Sequence, residues 1–221
     1  MKLLEQVEIN LNWADANLVA HPTPEYKRST GVHLMQVLRH VAVSTGQLVV
    51  GDEVDDDMPL RVLLGMGWEW AAARLYPDMW WQPGELCRDG VYGTPDGISD
   101  LNPKEVTEAS GWALRCVDEF KYTRKSLRTK GGKPDQWKDI TREWLWMQQC
   151  MGYANMVNHV MGETGSCWHA RLHVLWACGN YDWADRVGGG ARERYVRYLV
   201  QFSEGELESN WRMVMANKGA V

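Results

Sequence analysis

The sequence predicts an α/β or α+β domain in which helices flank a central mixed β-sheet. Three patterns predict it: helical periodicity before position 76 and after position 138, short alternating segments between positions 80 and 123, and two strands followed by a helix near the end of the chain. A length of 221 residues suits one domain with a well-formed core. We divide the chain into an N-terminal extension (1–58), a core (59–161) and a C-terminal strand–strand–helix segment (162–221).

The formal net charge of −5 excludes a basic protein that binds nucleic acid over its whole surface. It leaves room for an enzyme acting on nucleic acid, because metal-dependent sites need carboxylates and the bound cations reverse the local charge. The 13 Trp residues are expected mainly in the core and along grooves, with stacking against bases as the alternative.

The cysteines and the start of the chain indicate a reducing compartment. Five cysteines with no CxxC pair are typical of reduced, mostly buried thiols: Cys87, Cys116, Cys150, Cys167 and Cys178. There is no signal-peptide pattern and no apolar run of about 18 residues. We therefore expect a cytoplasmic protein (in the host cytoplasm if it is viral) that makes no membrane contact.

The first half of the chain predicts two helices. Residues 31–43 have Val32, Met35, Leu38 and Val41 or Val43 at helical spacing. The acidic stretch 51–58 is expected to be a solvated loop rather than a metal site. Residues 59–75 predict the second helix, which Pro77 ends. Its apolar stripe consists of Leu60, Leu63, Leu64, Trp68 and Ala71 or Ala72.

A run of strands follows. We predict them at 80–82, 85–88, 90–99 and 112–123, with tight turns at Gly90, Gly93 and Gly97. The polar stretch 124–137 predicts a mobile loop. A helix is predicted over 139–161, and its stripe consists of Trp144, Met147, Met151, Ala154 and Val157 or Val160.

The last part of the chain predicts strands at 170–178 and 194–202 and then a helix. Ser203 and Glu206 have the spacing of a capping box at its start. Phe202 and Leu207 are placed to form the accompanying hydrophobic staple.

The segment 117–123, VDEFKYT, combines a strand pattern with several charges. On a strand Glu119 and Lys121 share one face, whereas Asp118 and Phe120 point the other way. Taken alone, this E-x-K pattern is most often a salt-bridged strand face. Asp118 points away from the predicted site and receives no catalytic role.

An upstream carboxylate changes that interpretation. Asp96 follows Pro95 at the end of the preceding strand, where its side chain and that of Glu119 can converge on a divalent cation. Lys121 beside them can orient water and stabilise charge on a phosphate. This PD…ExK arrangement resembles the PD-(D/E)XK nuclease superfamily.

Two helices extend the resemblance. Glu69 stands where this superfamily often places a helical acidic residue of the metal site. Gln149 and Tyr153 have a QxxxY spacing on one helix face, with Gln148 as the competing register. This element resembles the motif after ExK in the RecB-like and lambda-exonuclease-like branches.

The resemblance implies a restriction-endonuclease-like core and a set of ligands. Asp96, Glu119, Glu69 and the Phe120 carbonyl would hold Mg²⁺, for which Mn²⁺ substitutes, and the Phe120 ring would pack against the helices. RecB-like relatives usually carry a His where this chain has Gly65, which favours the phage-exonuclease-like branch. The cysteines lack the grouping that would hold an iron–sulfur cluster, so none is expected.

The activity implied is a phage-type recombination or repair exonuclease acting on double-stranded DNA ends, beside a single-strand annealing protein and as a possible homo-oligomer. The alternatives are a structure-specific or nicking endonuclease and a non-catalytic DNA-binding accessory protein. A basic loop is placed to hold the DNA backbone, although a solvated loop is equally compatible: Arg124, Lys125, Arg128 and Lys130. The histidines lack ligand spacing and are expected to be structural or solvated: His33, His40, His159, His169 and His173.

Overall fold

The structure is a computed structural model that describes residues 1–9, 29–48, 64–65, 67–69, 71, 83–101, 114–123, 138–162, 166–177 and 194–221. The predictions for the acidic stretch 51–58, the strand at 80–82 and the loop at 124–137 lie outside these residues.

A five-stranded sheet forms the centre of the molecule. Its strands, in chain order, are β1 (Lys2–Ile9), β5 (Gly97–Asp100), β6 (Leu114–Thr123), β7 (Ser166–Trp176) and β8 (Arg194–Gln201). Their spatial order is β1-β8-β7-β6-β5. The β6–β7 pair is parallel and the other three pairs are antiparallel, so the predicted mixed sheet is confirmed.

A smaller sheet has the order β2-β4-β3, with β2 (Val32–His33), β3 (Leu86–Arg88) and β4 (Val91–Gly93). Asp89 and Gly90 both have positive φ and close the β3–β4 hairpin, as predicted for Gly90. The predicted strand at 90–99 is wrong in one respect: it is two strands, because the chain leaves β4 for the other sheet at residues 94–96. Gly93 and Gly97 consequently lie in strands rather than in turns.

Three helices have described bounds: α1 (Leu34–Ser44), α2 (Trp144–Met161) and α3 (Glu204–Asn217). Residues 64–65, 67–69 and 71 are also helical, within the predicted helix at 59–75. The predicted helix at 139–161 begins five residues later as an α-helix, because residues 140–142 form a 3-10 turn that Asp139 caps. The capping box of Ser203 and Glu206 is confirmed.

The structure decides between the alternatives left in two predicted helix faces. In α1 the buried side chains are Leu34, Val37, Leu38, Val41 and Ala42, so the face contains Val41 and not Val43, which is 40% exposed. Val32 was predicted on the same face but belongs to β2. In α2 the predicted stripe is buried from Met147 to Val157, and the alternative Val160 is 57% exposed.

The α2 helix connects the two sheets. It packs against β6 and β7 of the central sheet and against β3, α1 and α3. The main core lies around it and includes Val117, Leu172 and Val196 from the central sheet. The opposite face of that sheet carries two smaller clusters, one around Trp68 and Phe120 and one around Cys116 and Leu199.

The described helices include none that is both long and apolar enough to cross a membrane.

Candidate active site at the edge of the central sheet

The end of the β5 strand brings Asp96 to Glu119. Antiparallel pairing sets Gly97 opposite Asp118, so Asp96 lies one step further along β6. At that point the Phe120 backbone N–H donates a hydrogen bond to Asp96 Oδ2 over 2.8 Å. The two carboxylates that sequence reasoning paired are therefore neighbours.

Alternation along β6 places Glu119 and Lys121 together on the α2 side of the sheet. The Lys121 Nζ donates to Glu119 Oε1 in an ion pair. The Glu119 side chain is only 2% exposed, and that of Lys121 is 17% exposed. This pair is thus partly shielded from water, which strengthens its electrostatic interaction.

The α2 helix supplies an amide to the same carboxylate. Gln149 Nε2 donates to Glu119 Oε1 over 2.7 Å and to the Tyr153 hydroxyl oxygen over 3.2 Å. Gln148 instead contacts Asn210, whose Nδ2 donates to Gln148 Oε1 over 2.8 Å. The structure therefore selects Gln149 over Gln148 and brings the predicted Gln149/Tyr153 pair to Glu119.

The second oxygen of Glu119 is differently placed. Glu119 Oε2 is buried and receives no hydrogen bond from the residues that the structure describes. The Asp96 carboxyl lies beside Glu119 closely enough to form a hydrogen bond when one of the two carries a proton. Burial, followed by repulsion from Asp96, raises the pKa of Glu119 to about 8.

Burial and neighbouring charges also change the pKa values of Asp96 and Lys121. Burial raises the pKa of Asp96 above its ordinary value, against the opposing attraction of Lys121. Burial alone would lower the pKa of Lys121, but attraction from Glu119 and Asp96 outweighs it and raises that pKa. A cluster with two desolvated carboxyl groups and one ammonium favours binding of a further positive charge.

Glu69 belongs to the same electrostatic environment. Burial and the nearby Asp96 carboxyl raise the pKa of Glu69 to about 7, while Lys121 lowers it. Its helical neighbour Trp68 anchors this segment, because Trp68 Nε1 donates to the His173 carbonyl over 3.1 Å. The helical acidic residue singled out in the sequence is therefore near Asp96 and Lys121.

The residues fit a Mg²⁺ ion that is only partly enclosed by protein. The described part of the chain contains no group of three or more His, Cys, Asp and Glu side chains arranged to hold a metal ion. Mg²⁺ commonly binds through one or two carboxylates and keeps its other positions for water and substrate phosphates. Asp96 and Glu119 Oε2, which has no hydrogen-bond donor in the described part of the chain, match that pattern. The Glu69 and Phe120 ligand predictions stay predictions.

The other face of β6 holds a polar cluster that sequence reasoning did not predict. Asp118 is 2% exposed and accepts hydrogen bonds from Ser99 Oγ and from Arg171 Nη1, the latter over 3.3 Å. His173 Nε2 lies 3.0 Å from Asp118 Oδ1, and His173 Nδ1 contacts the Tyr195 hydroxyl. The alternation of β6 could have predicted this cluster, because it turns the Asp118 carboxylate away from the candidate site. A buried carboxylate needs hydrogen-bond partners of its own.

Other predicted positions have simpler outcomes. The Phe120 ring packs edge-on against Trp68, as expected for a ring facing a helix, and also stacks on His173 at 4.6 Å between ring centroids. The basic residues Arg124, Lys125, Arg128 and Lys130 lie outside the described residues. Among the described cysteines Cys87, Cys116, Cys150 and Cys167 are free thiols.

No protein-family model matches the chain, and no curated protein sequence matches it. The resemblance to the nuclease superfamily therefore depends on these residues and their arrangement.

Proposed function

We propose that this chain is a metal-dependent deoxyribonuclease with a restriction-endonuclease-like core of the PD-(D/E)XK kind. The observation that carries the proposal is the meeting of Asp96, Glu119 and Lys121, with Glu119 Oε2 buried and lacking a donor among the described residues. A salt-bridged strand face would leave both carboxylate oxygens solvated or paired. This arrangement instead keeps one buried oxygen for a ligand.

Each side chain has a distinct role in the proposed reaction. Asp96 and Glu119 would hold the cation, and a bound Mg²⁺ or Mn²⁺ would supply Lewis-acid chemistry to a phosphate and to an attacking water. Lys121 orients that water and stabilises negative charge on the phosphate. Gln149 fixes Glu119 Oε1 by its hydrogen bond, so that Oε2 is the oxygen left to bind.

Two further residues complete the site. Tyr153 holds Gln149, since its hydroxyl oxygen accepts from Gln149 Nε2. Glu69, whose pKa is about 7, can give up or take a proton close to neutral pH as the cation binds. The assignment to a phage-type exonuclease acting on duplex ends is the part of the proposal that follows from the resemblance.

The decisive variant is Lys121→Ala. We expect it to lose Mg²⁺-dependent cleavage of DNA by at least about 10²-fold, because the only ammonium at the described site is removed. DNA binding, measured by fluorescence anisotropy, is expected to stay close to that of the wild type. The matched control is Lys218→Ala, which removes a half-buried lysine whose Nζ donates to the Asp89 carbonyl, away from the site.

Cleavage that persists in Lys121→Ala at the rate of Lys218→Ala would overturn the proposal. End-labelled linear DNA assayed beside a closed circle separates the two nuclease types. An exonuclease shortens the linear DNA and spares the circle, whereas a nicking or structure-specific endonuclease cuts the circle.

A further inference from the structure

The polar cluster on the opposite face of β6 joins three strands of the central sheet. Ser99 lies on β5, Asp118 on β6 and Arg171 on β7. Ser99 Oγ and Arg171 Nη1 both donate to Asp118, and Arg171 Nη1 also donates to Ser99 Oγ over 3.1 Å. We call these three residues the Ser99–Asp118–Arg171 clamp.

The clamp is almost fully removed from water. The exposed fractions are 4% for Ser99 and 2% each for Asp118 and Arg171. Burial of an ion pair carries a large desolvation cost, and apolar residues of the same size often stabilise a fold equally well. Stability alone therefore gives a weak reason for an ion pair in this position.

The position of the clamp relative to the site gives a stronger reason. Asp96 is attached to β5, a strand of four residues at the edge of the sheet whose described partner is β6. Ser99 is three residues from Asp96, and Asp118 directly precedes Glu119. The clamp therefore links β5, which directly follows Asp96, to β6, which contains Glu119.

We propose that Ser99, Asp118 and Arg171 are positioning residues that fix β5 against β6 and thereby set the separation of the Asp96 and Glu119 carboxylates. The metal-binding consequence rests on the proposed function, whereas the placement of Asp96 does not. The clamp acts through the backbone, from the face opposite the site, and its members do not touch the reacting groups.

A hydrogen bond already in the structure reports on the clamp without any metal. The Phe120 amide donates to Asp96 Oδ2, so its hydrogen exchange reveals whether Asp96 stays in place. In Ser99→Ala we expect this amide to exchange at least about tenfold faster, with the amides of α2 unchanged. Two-dimensional NMR of the metal-free protein measures both sets in one experiment.

The control is Ser203→Ala, which removes the capping-box hydroxyl at the start of α3. Ser203→Ala removes a hydroxyl group, as Ser99→Ala does, and is expected to lower the free energy of unfolding by a comparable amount. Ser203 lies away from β5. The second variant, Ser99→Thr, keeps the hydroxyl at a strand position that suits a β-branched residue. Phe120 protection is expected to stay at the wild-type level in Ser203→Ala and to be restored in Ser99→Thr.

Mn²⁺ titration by calorimetry tests the consequence for the site. Ser99→Ala is expected to weaken Mn²⁺ binding about tenfold, as is typical for residues supporting metal ligands, and Ser203→Ala is not. Three results would each overturn the positioning role. The first is unchanged exchange of the Phe120 amide in Ser99→Ala, and the second is faster exchange in that variant with unchanged Mn²⁺ affinity. The third is exchange of the Phe120 amide in Ser99→Thr that stays as fast as in Ser99→Ala. A wild-type protein that binds no Mn²⁺ contradicts the proposed function instead, and the exchange comparison still decides whether the clamp places Asp96.

Discussion

The two carboxylate oxygens of Glu119 have different surroundings, and the proposed function assigns one of them to a ligand. One of these oxygens accepts hydrogen bonds from Lys121 and Gln149, and the other is buried without a donor among the described residues. Lys121 attracts the Glu119 carboxylate, whereas the nearby Asp96 carboxylate repels it. Burial, followed by repulsion from Asp96, raises the pKa of Glu119 to about 8.

This raised pKa predicts that the metal-free protein loses stability as the pH rises. The folded state keeps a proton on Glu119 up to about pH 8, whereas the unfolded chain loses it near its ordinary value of 4.5. The stabilisation that this proton gives the folded state is therefore fully present below the unfolded-state pKa of 4.5. It declines at higher pH and is lost as the pH rises through the folded-state pKa of about 8. Urea unfolding should show a lower free energy of unfolding at about pH 8.5 than at about pH 6.5.

The matched variant is Glu119→Gln, which cannot lose a proton. It should show a smaller decline over the same pH interval, with the remainder due to Glu69 and Asp96, whose raised pKa values act in the same direction. Added Mn²⁺ should restore the stability of the wild type at the higher pH but not that of the variant. Equal slopes for the two proteins would contradict the placement of Glu119.

At the scale of elements, the site depends on a close approach between β4 and α2. A Cβ atom at Gly93 would lie 2.8 Å from both the Tyr153 ring and Met156 Sδ. Only glycine allows the helix to come this near, and Tyr153 is the residue that holds Gln149.

We predict that Gly93→Ala destabilises the protein by about 1–3 kcal/mol, because the ring and the thioether must move to make room. Chemical denaturation followed by circular dichroism measures this change. Gly205→Ala is the control, since a Cβ atom at Gly205 in α3 meets no atom within 4 Å. A Gly93→Ala protein as stable as Gly205→Ala would show that α2 does not press against β4 as described.

Some elements were predictable from local patterns and others were not. The faces of β6 and the start of α3 follow from alternation and from capping residues, which act over a few positions. The strand β1 was missed because its two adjacent leucines break the alternation. Leu3 packs on the main core and Leu4 on the opposite face, where the pairing with β8 shifts its register.

At the scale of the whole molecule, Asn155 connects parts that are distant in sequence. Its Nδ2 donates to the carbonyls of Met151 and Leu207, and its Oδ1 accepts from Arg88 Nη1 over 3.1 Å. This buried amide therefore joins α2 to α3 and to the smaller sheet.

We predict that Asn155→Leu destabilises the protein by about 2 kcal/mol, because buried polar partners lose their hydrogen bonds while the volume is kept. Thermal unfolding measured by calorimetry checks this. In the control Asn217→Leu, the lost bond runs to the Met213 carbonyl within α3, and we expect a loss below about 1 kcal/mol. Equal losses in the two variants would exclude a special role for Asn155.

The resemblance to the nuclease superfamily, together with the alternation of β6, predicted that Asp96, Glu119 and Lys121 meet near Gln149. Asp96 itself lies just before β5 and not on a strand. The clamp partners of Asp118 were not predictable in the same way. Arg171 and Ser99 reach Asp118 only because of the strand order and register, which depend on pairing between distant segments.

The strand order also has a consequence for how the chain acquires its fold during synthesis. Of the strands described, β8 is the one that pairs with β1, and Lys2 lies opposite Gln201. A ribosome delivers β1 before β8, so β1 has to wait for its neighbour while residues 10–193 emerge. Long-range pairing of this kind slows folding and leaves β1 exposed to pairing with wrong partners until β8 is available.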